Sequence, residues 1–185
     1  MRRSSALLIE MIDSVLTEAS LRLSELAGIV ALRGPGSFTG LRIGMSTALG
    51  FHQALGVPVA ALPTLEVLGH SVASEQGPLL AVVDALRGEW FTQRFDSSDS
   101  GREAGTVRRC RSEEIGALGP ATVVGFGLEP LARCLQSQHL TLHEATPLAK
   151  HAARMASTWS QWEVSDLLQP MYLREPATTP PPVAH

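Results

Sequence analysis

Lysine is nearly missing from this chain: Lys150 is the only one in 185 residues. No lysine falls in the glycine-rich stretch at 34–44, which excludes a phosphate-cradling P-loop, since that motif needs Gly-Lys-Ser/Thr at the helix start. Cysteine is almost as scarce. Cys110 and Cys134 have neither paired nor metal-ligand spacing, which argues against a disulfide framework and a zinc site. No apolar run reaches membrane length, so no spanning helix and no membrane partner are expected. The start, Met1-Arg2-Arg3-Ser4-Ser5, leads into an amphipathic pattern containing Glu10 and Asp13, which is not a signal peptide. A net charge of −3 argues against wholesale nucleic-acid binding but leaves room for a local patch. A soluble cytoplasmic protein fits these absences.

What is present is organised around Arg33-Gly34-Pro35-Gly36-Ser37-Phe38-Thr39-Gly40-Leu41-Arg42-Ile43-Gly44. Ile29-Val30-Ala31-Leu32 ahead of it has the length and β-branched content of a buried strand. Behind it a long apolar-rich helix runs from about Thr39 to Leu55, stopped by Gly56 and Pro58. The glycines therefore occupy a strand-to-helix turn. Pro35 and Thr39 flank Ser37 where a nucleophile elbow needs glycines, so that motif fails as well. Two readings remain: an anion seat on free helix N–H groups, or a capped helix, which the Ser/Thr preference at that position favours.

Ser4 to Ala19 reads as a helix in which Leu7, Leu8, Met11, Ile12, Val15 and Leu16 make one broad apolar stripe. In the long helix Gly40, Gly44 and Ala48 recur every four residues, a small-residue groove that lets another helix approach. The spacing then predicts a strand at Val57–Ala61, a helix at Thr64–Ser74 and a lobe boundary at Pro78. Beyond it come a strand Leu79–Val83 ending at Asp84, a turn at Arg87-Gly88, a strand Glu89–Phe95, a hairpin loop Ser97–Gly101 and a third strand Thr106–Cys110. Ser112 caps a short acidic-first helix, followed by strand Ala121–Val124, helix Glu129–Gln136, strand Leu140–Leu142 and helix Pro147–Trp159.

The order helix, strand, helix, strand, helix in residues 1–77 matches residues 78–175 with their three leading strands removed. That is a tandem α/β duplication with one truncated copy, plus a disordered proline-rich tail at 176–185. It predicts an unpaired edge on Ile29–Leu32, which roughly 30 residues of strand and turn would cover.

Gly34-Pro35-Gly36-Ser37-Phe38-Thr39-Gly40-Leu41-Arg42-Ile43-Gly44 closely resembles the hallmark of the TsaB (YeaZ) family, bacterial subunits of the machinery that makes threonylcarbamoyladenosine beside the tRNA anticodon. The likeness continues through Ser5–Ala19, Pro63-Thr64-Leu65-Glu66, Val83-Asp84-Ala85-Leu86-Arg87-Gly88-Glu89 and Gln169-Pro170-Met171-Tyr172-Leu173-Arg174. The resemblance implies a two-lobed actin-like, sugar-kinase and Hsp70-type (ASKHA) fold of two RNase H-like units, the first truncated. Family members open with a strand and hairpin that have no counterpart ahead of Ser5; a start placed too late and a truncated product both fit. The resemblance further implies a non-catalytic, cofactor-free partner of a TsaD-type catalytic subunit, working with a TsaE-type ATPase, with tRNA met only within the complex. The docking surface, for TsaD or for a second copy, would be Leu8, Met11, Ile12 and Val15 of the first helix with Gly40, Gly44 and Ala48 of the second.

The enzyme readings, an actin-like ATPase or a metallopeptidase, are weaker. TsaD holds a metal through a His-x-x-x-His pair; the matching positions here are Thr64 and Leu68, neither a usable ligand. His70 reads as a helix-surface residue. His139 and His143 have i, i+4 spacing but lie about a strand and lack a third ligand. Asp84 resembles the phosphate-binding aspartate of actin-like kinases, yet Leu86 replaces the glycine two residues on. Gly125-Phe126-Gly127 is a lone Gly-x-Gly. Arg102, Arg108, Arg109 and Arg111 form either a phosphate-contacting patch or a solvated edge strand. Trp159 and Trp162 read as packing anchors. A fragment without function is the third reading.

Overall fold

In the computed structural model, which describes residues 2–72, 77–98, 101–119, 121–135, 139–158, 162 and 169–171, the chain opens with helix α1 (Arg2–Glu18) and a 3₁₀ turn at Leu23–Glu25. The apolar run expected as a strand is β1 (Ile29–Gly34). The glycine-rich turn leads into α2 (Phe38–Leu55), which ends on Gly56 at φ 70°, a left-handed cap that glycine adopts without steric cost. β2 (Val59–Pro63) and α3 (Thr64–Ser71) complete the first lobe.

β1 and β2 are parallel, pairing Ile29 with Val59 through Leu32 with Leu62. Period-two alternation divides β1 between two cores. Ile29 and Ala31 pack with Met45 and Ala48 of α2, while Val30 and Leu32 lie against the cluster containing Leu65 and Leu68 of α3. Among the described residues no strand lies on the other edge of β1. This is the open edge that the internal repeat predicts.

The second lobe begins with β3 (Leu79–Asp84), β4 (Glu89–Ser98), β5 (Gly101–Ala104) and β6 (Arg108–Arg111). Here the sequence reading needs correction. Ser97 and Ser98 pair with Arg102 and Gly101, so strand replaces most of the expected loop and β5 is an additional strand. Its four residues, one of them glycine, carry no apolar alternation to mark it. α4 (Ser112–Ile115), β7 (Ala121–Gly125), α5 (Glu129–Cys134), β8 (Leu140–Glu144) and α6 (Ala149–Ala156) follow. The far ends of the expected helices, at Ser74, Gln136 and Trp159, and the 176–185 tail lie outside the described residues.

The second sheet runs β5-β4-β3-β7-β8, with β6 also on β4. β7 pairs in parallel with both β3 and β8. It therefore occupies the place that β1 occupies in the first sheet, with both edges filled. The largest core draws on residues from both sheets. Leu65, Val67 and Leu68 of α3, at 0% exposure, join Leu79 of β3, Phe91 and Phe95 of β4 and Val124 of β7. Full burial of each such aliphatic side chain contributes about 1.5–3 kcal/mol, so α3 ties the lobes together.

Candidate partner interface

The turn at 34–40 is built for shape. Gly34 sits at φ 108°, and a β-carbon there would fall 2.9 Å from the carbonyl oxygen of Met171. Met171 N–H donates to Arg33 O at 2.7 Å. The signature loop and the start of the terminal signature, remote in sequence, are thus in contact, and Gly34 is required by close approach as well as by φ. Pro35 is buried, and the Arg42 guanidinium lies 4.0 Å from the centre of the Phe38 ring. Gly36 and Ser37 are exposed and Thr39 half-buried. Ser37 Oγ accepts from Gly40 N–H at 3.3 Å, the geometry of a helix N-cap. Of the two readings of this turn, the cap is the one seen.

α1 lies against α2 and has no buried residue among its described side chains. Its stripe splits along its length. Leu8, Ile12 and Leu16 are half-buried, whereas Leu7, Met11 and Val15 are 55%, 57% and 63% exposed. Spacing of four residues puts the latter three on one flank. Leu7 belongs with them and was signalled by that spacing. On α2, Gly40 is exposed, and a β-carbon added at Gly44 would have no neighbour within 4 Å. Ala48 differs: at 3% exposure it packs on β1 and β2. A four-residue step overshoots one full turn by about 40°, so two steps rotate the row from the surface into the core.

Other candidate groups are committed elsewhere. Asp84 Oδ1 accepts from Leu86 N–H at 2.7 Å, closing its own turn. Glu144 accepts from Gly127 N–H (2.6 Å) and Leu128 N–H (3.2 Å), occupying the amides an anion would use at Gly125–Gly127. Thr64 and Leu68 are buried in the α3 core, and His70 is exposed on that helix. His139 and His143 are exposed at β8. Trp162 packs over Gly28, its ring 2.6 Å from where a β-carbon would be. Ser112 does not cap α4: its hydroxyl bonds Gly88 O and accepts from the Trp90 indole, and Glu114 reaches back to Arg111 N–H instead. On β6, Arg108, Arg109 and Arg111 are exposed, with Arg109 3.8 Å from Glu89; the Arg102 side chain lies outside the described set.

A family model described as "TsaD: tRNA N6-adenosine threonylcarbamoyltransferase" matches residues 1–109, more than half of the chain. A Mycobacterium leprae protein described as uncharacterized is 32% identical over 166 residues, covering 89% of this chain and 43% of its own length. The tRNA threonylcarbamoyladenosine biosynthesis protein TsaB of Bacillus subtilis is 33% identical over 81 residues, 44% of this chain and 35% of that one. The chain thus spans less than half the length of either relative. A crystal structure of a Pseudomonas aeruginosa protein "with similarity to peptidase YEAZ" superposes with a TM-score of 0.71 at 24% identity, covering 90% of this chain and 82% of the other. That likeness establishes the fold as the expected α/β, actin-like and RNase H-like architecture. Through the family model that matches more than half of it and its TsaB relative, the chain belongs to the TsaB (YeaZ) family.

Proposed function

We propose that this chain is a non-catalytic scaffold subunit in bacterial tRNA threonylcarbamoyladenosine formation, docking a TsaD-type catalytic subunit through α1 and α2. The observation that carries the reading is the flank of Leu7, Met11 and Val15, each more than half exposed, beside α2 with its exposed Gly40 and half-buried Gly44, where a β-carbon would have room among the described residues. Contiguous exposed apolar surface of this kind is typical of docking sites, and glycines on a helix surface let a second helix come close. Leu8 and Ile12 form the inward margin of the same flank. A TsaE-type ATPase and tRNA join only the assembled complex, in the cytoplasm. The commitment of Asp84 and Glu144 to internal hydrogen bonds weighs against an ATPase.

Mixing the purified chain with a TsaD-type subunit is expected to give a stoichiometric complex by size exclusion with light scattering. Met11→Glu and Gly44→Trp should each weaken it by about tenfold or more, with unchanged thermal midpoints. A chain that forms only a concentration-dependent homodimer, lost in the same variants, would assign the flank to a second copy. Binding that survives both substitutions would overturn the reading.

A further inference from the structure

The β3–β4 hairpin turns through Leu86, Arg87 and Gly88, at φ 64°, 58° and 75°. Only the last is glycine, so two L side chains are held in the left-handed region. The turn is clamped. Leu86 N–H donates to Asp84 Oδ1, and Gly88 O accepts from both the N–H (3.1 Å) and the hydroxyl (3.2 Å) of Ser112. The buried Trp90 indole N–H donates to Ser112 Oγ at 2.9 Å. Arg111, one residue before Ser112, is fixed through its N–H bond to Glu114 at 2.6 Å.

The clamp leaves Leu86 64% exposed, and the next residue, Arg87, lines an open polar cavity of about 490 Å³ together with Arg111. Among the described residues neither arginine has an ion-pair partner, whereas Glu89 on the same cavity is engaged by Arg109. We propose that this tip is a second protein-docking site, which takes one Asp or Glu side chain of another protein between Arg87 and Arg111 while an apolar neighbour of that residue covers Leu86. Guanidinium groups on a rigid frame suit bidentate carboxylate recognition. Glu89 and Glu113 share the cavity and limit it to a single added negative charge, which one carboxylate supplies and a run of phosphates exceeds, and a nucleic-acid backbone offers nothing to Leu86. The site shares no residue with the α1–α2 flank, so it stands or falls apart from that interface.

Titration of the isotope-labelled full chain with a blocked hexapeptide holding one aspartate between two leucines tests this. Saturable amide shifts are expected at 86–89 and 111–113, and none with the asparagine counterpart. Arg87→Gly and Arg111→Ala should each lower affinity by about tenfold. Arg87→Gly also relieves the backbone, so its lost binding cannot reflect unfolding; Leu86→Asn, equally at ease in the left-handed region, should weaken binding too. Absence of saturable shifts, equal response to the asparagine peptide, or a response to a single-stranded RNA oligonucleotide alone would overturn the proposal.

Discussion

The Phe95 ring stands against Gly69, its nearest atom 2.7 Å from where a β-carbon on that glycine would lie. Gly69 is on α3 and Phe95 on β4, so this contact joins the first lobe's last helix to the second lobe's sheet. Both residues are buried, and the ring has no solvent to retreat into. Gly69→Ala is expected to cost about 1–3 kcal/mol by overpacking, read from urea midpoints, although alanine is the better helix former.

Gly44 is the contrasting case. Beyond its own helix backbone and chain neighbours, an added methyl meets nothing within 4 Å among the described residues. Gly44→Ala is expected to raise stability by about 0.5–1 kcal/mol through reduced backbone entropy of the unfolded chain. Calorimetry checks that gain, and complex formation by the same variant tells whether a partner approaches that position.

Glu144 closes the Gly125–Leu128 turn from the end of β8. Glu144→Ala leaves two N–H groups without their acceptor, that of Leu128 on a residue only 3% exposed. A loss of about 1–2 kcal/mol is expected in chemical denaturation. A matching loss for Glu144→Gln would show that the carboxylate charge, not only an oxygen acceptor, is needed.

Glu25 carries a pH signature. The hydrogen bond from the Arg22 side chain, and then the one from its backbone N–H, hold the Glu25 carboxyl below its ordinary value of 4.5. A depressed folded-state value means that its contribution is present above the unfolded value and fades as pH falls through the folded one. The stability difference between the native chain and Glu25→Gln should therefore be largest at neutral pH and shrink as the pH falls below 4.5 and through the lowered folded-state value.

The sequence by itself determined the local grammar. A β-branched run, glycines, Ser37 and an apolar helix ending at Gly56 specify β1, its turn and α2, because strand content, capping and helix stops are read within a few residues. The order of elements also led to the expectation of an open edge on β1, and among the described residues no strand lies there. Tertiary structure decided what periodicity cannot register: which neighbour covers an apolar side chain. It turned Leu7, Met11 and Val15 outward and Ala48 inward, set Met171 against Gly34, paired the short β5 with β4, and spent the carboxylates of Asp84 and Glu144 on backbone N–H groups. Contacts between residues dozens of positions apart are settled by packing and hydrogen-bond geometry, and these exist only once the lobes have met.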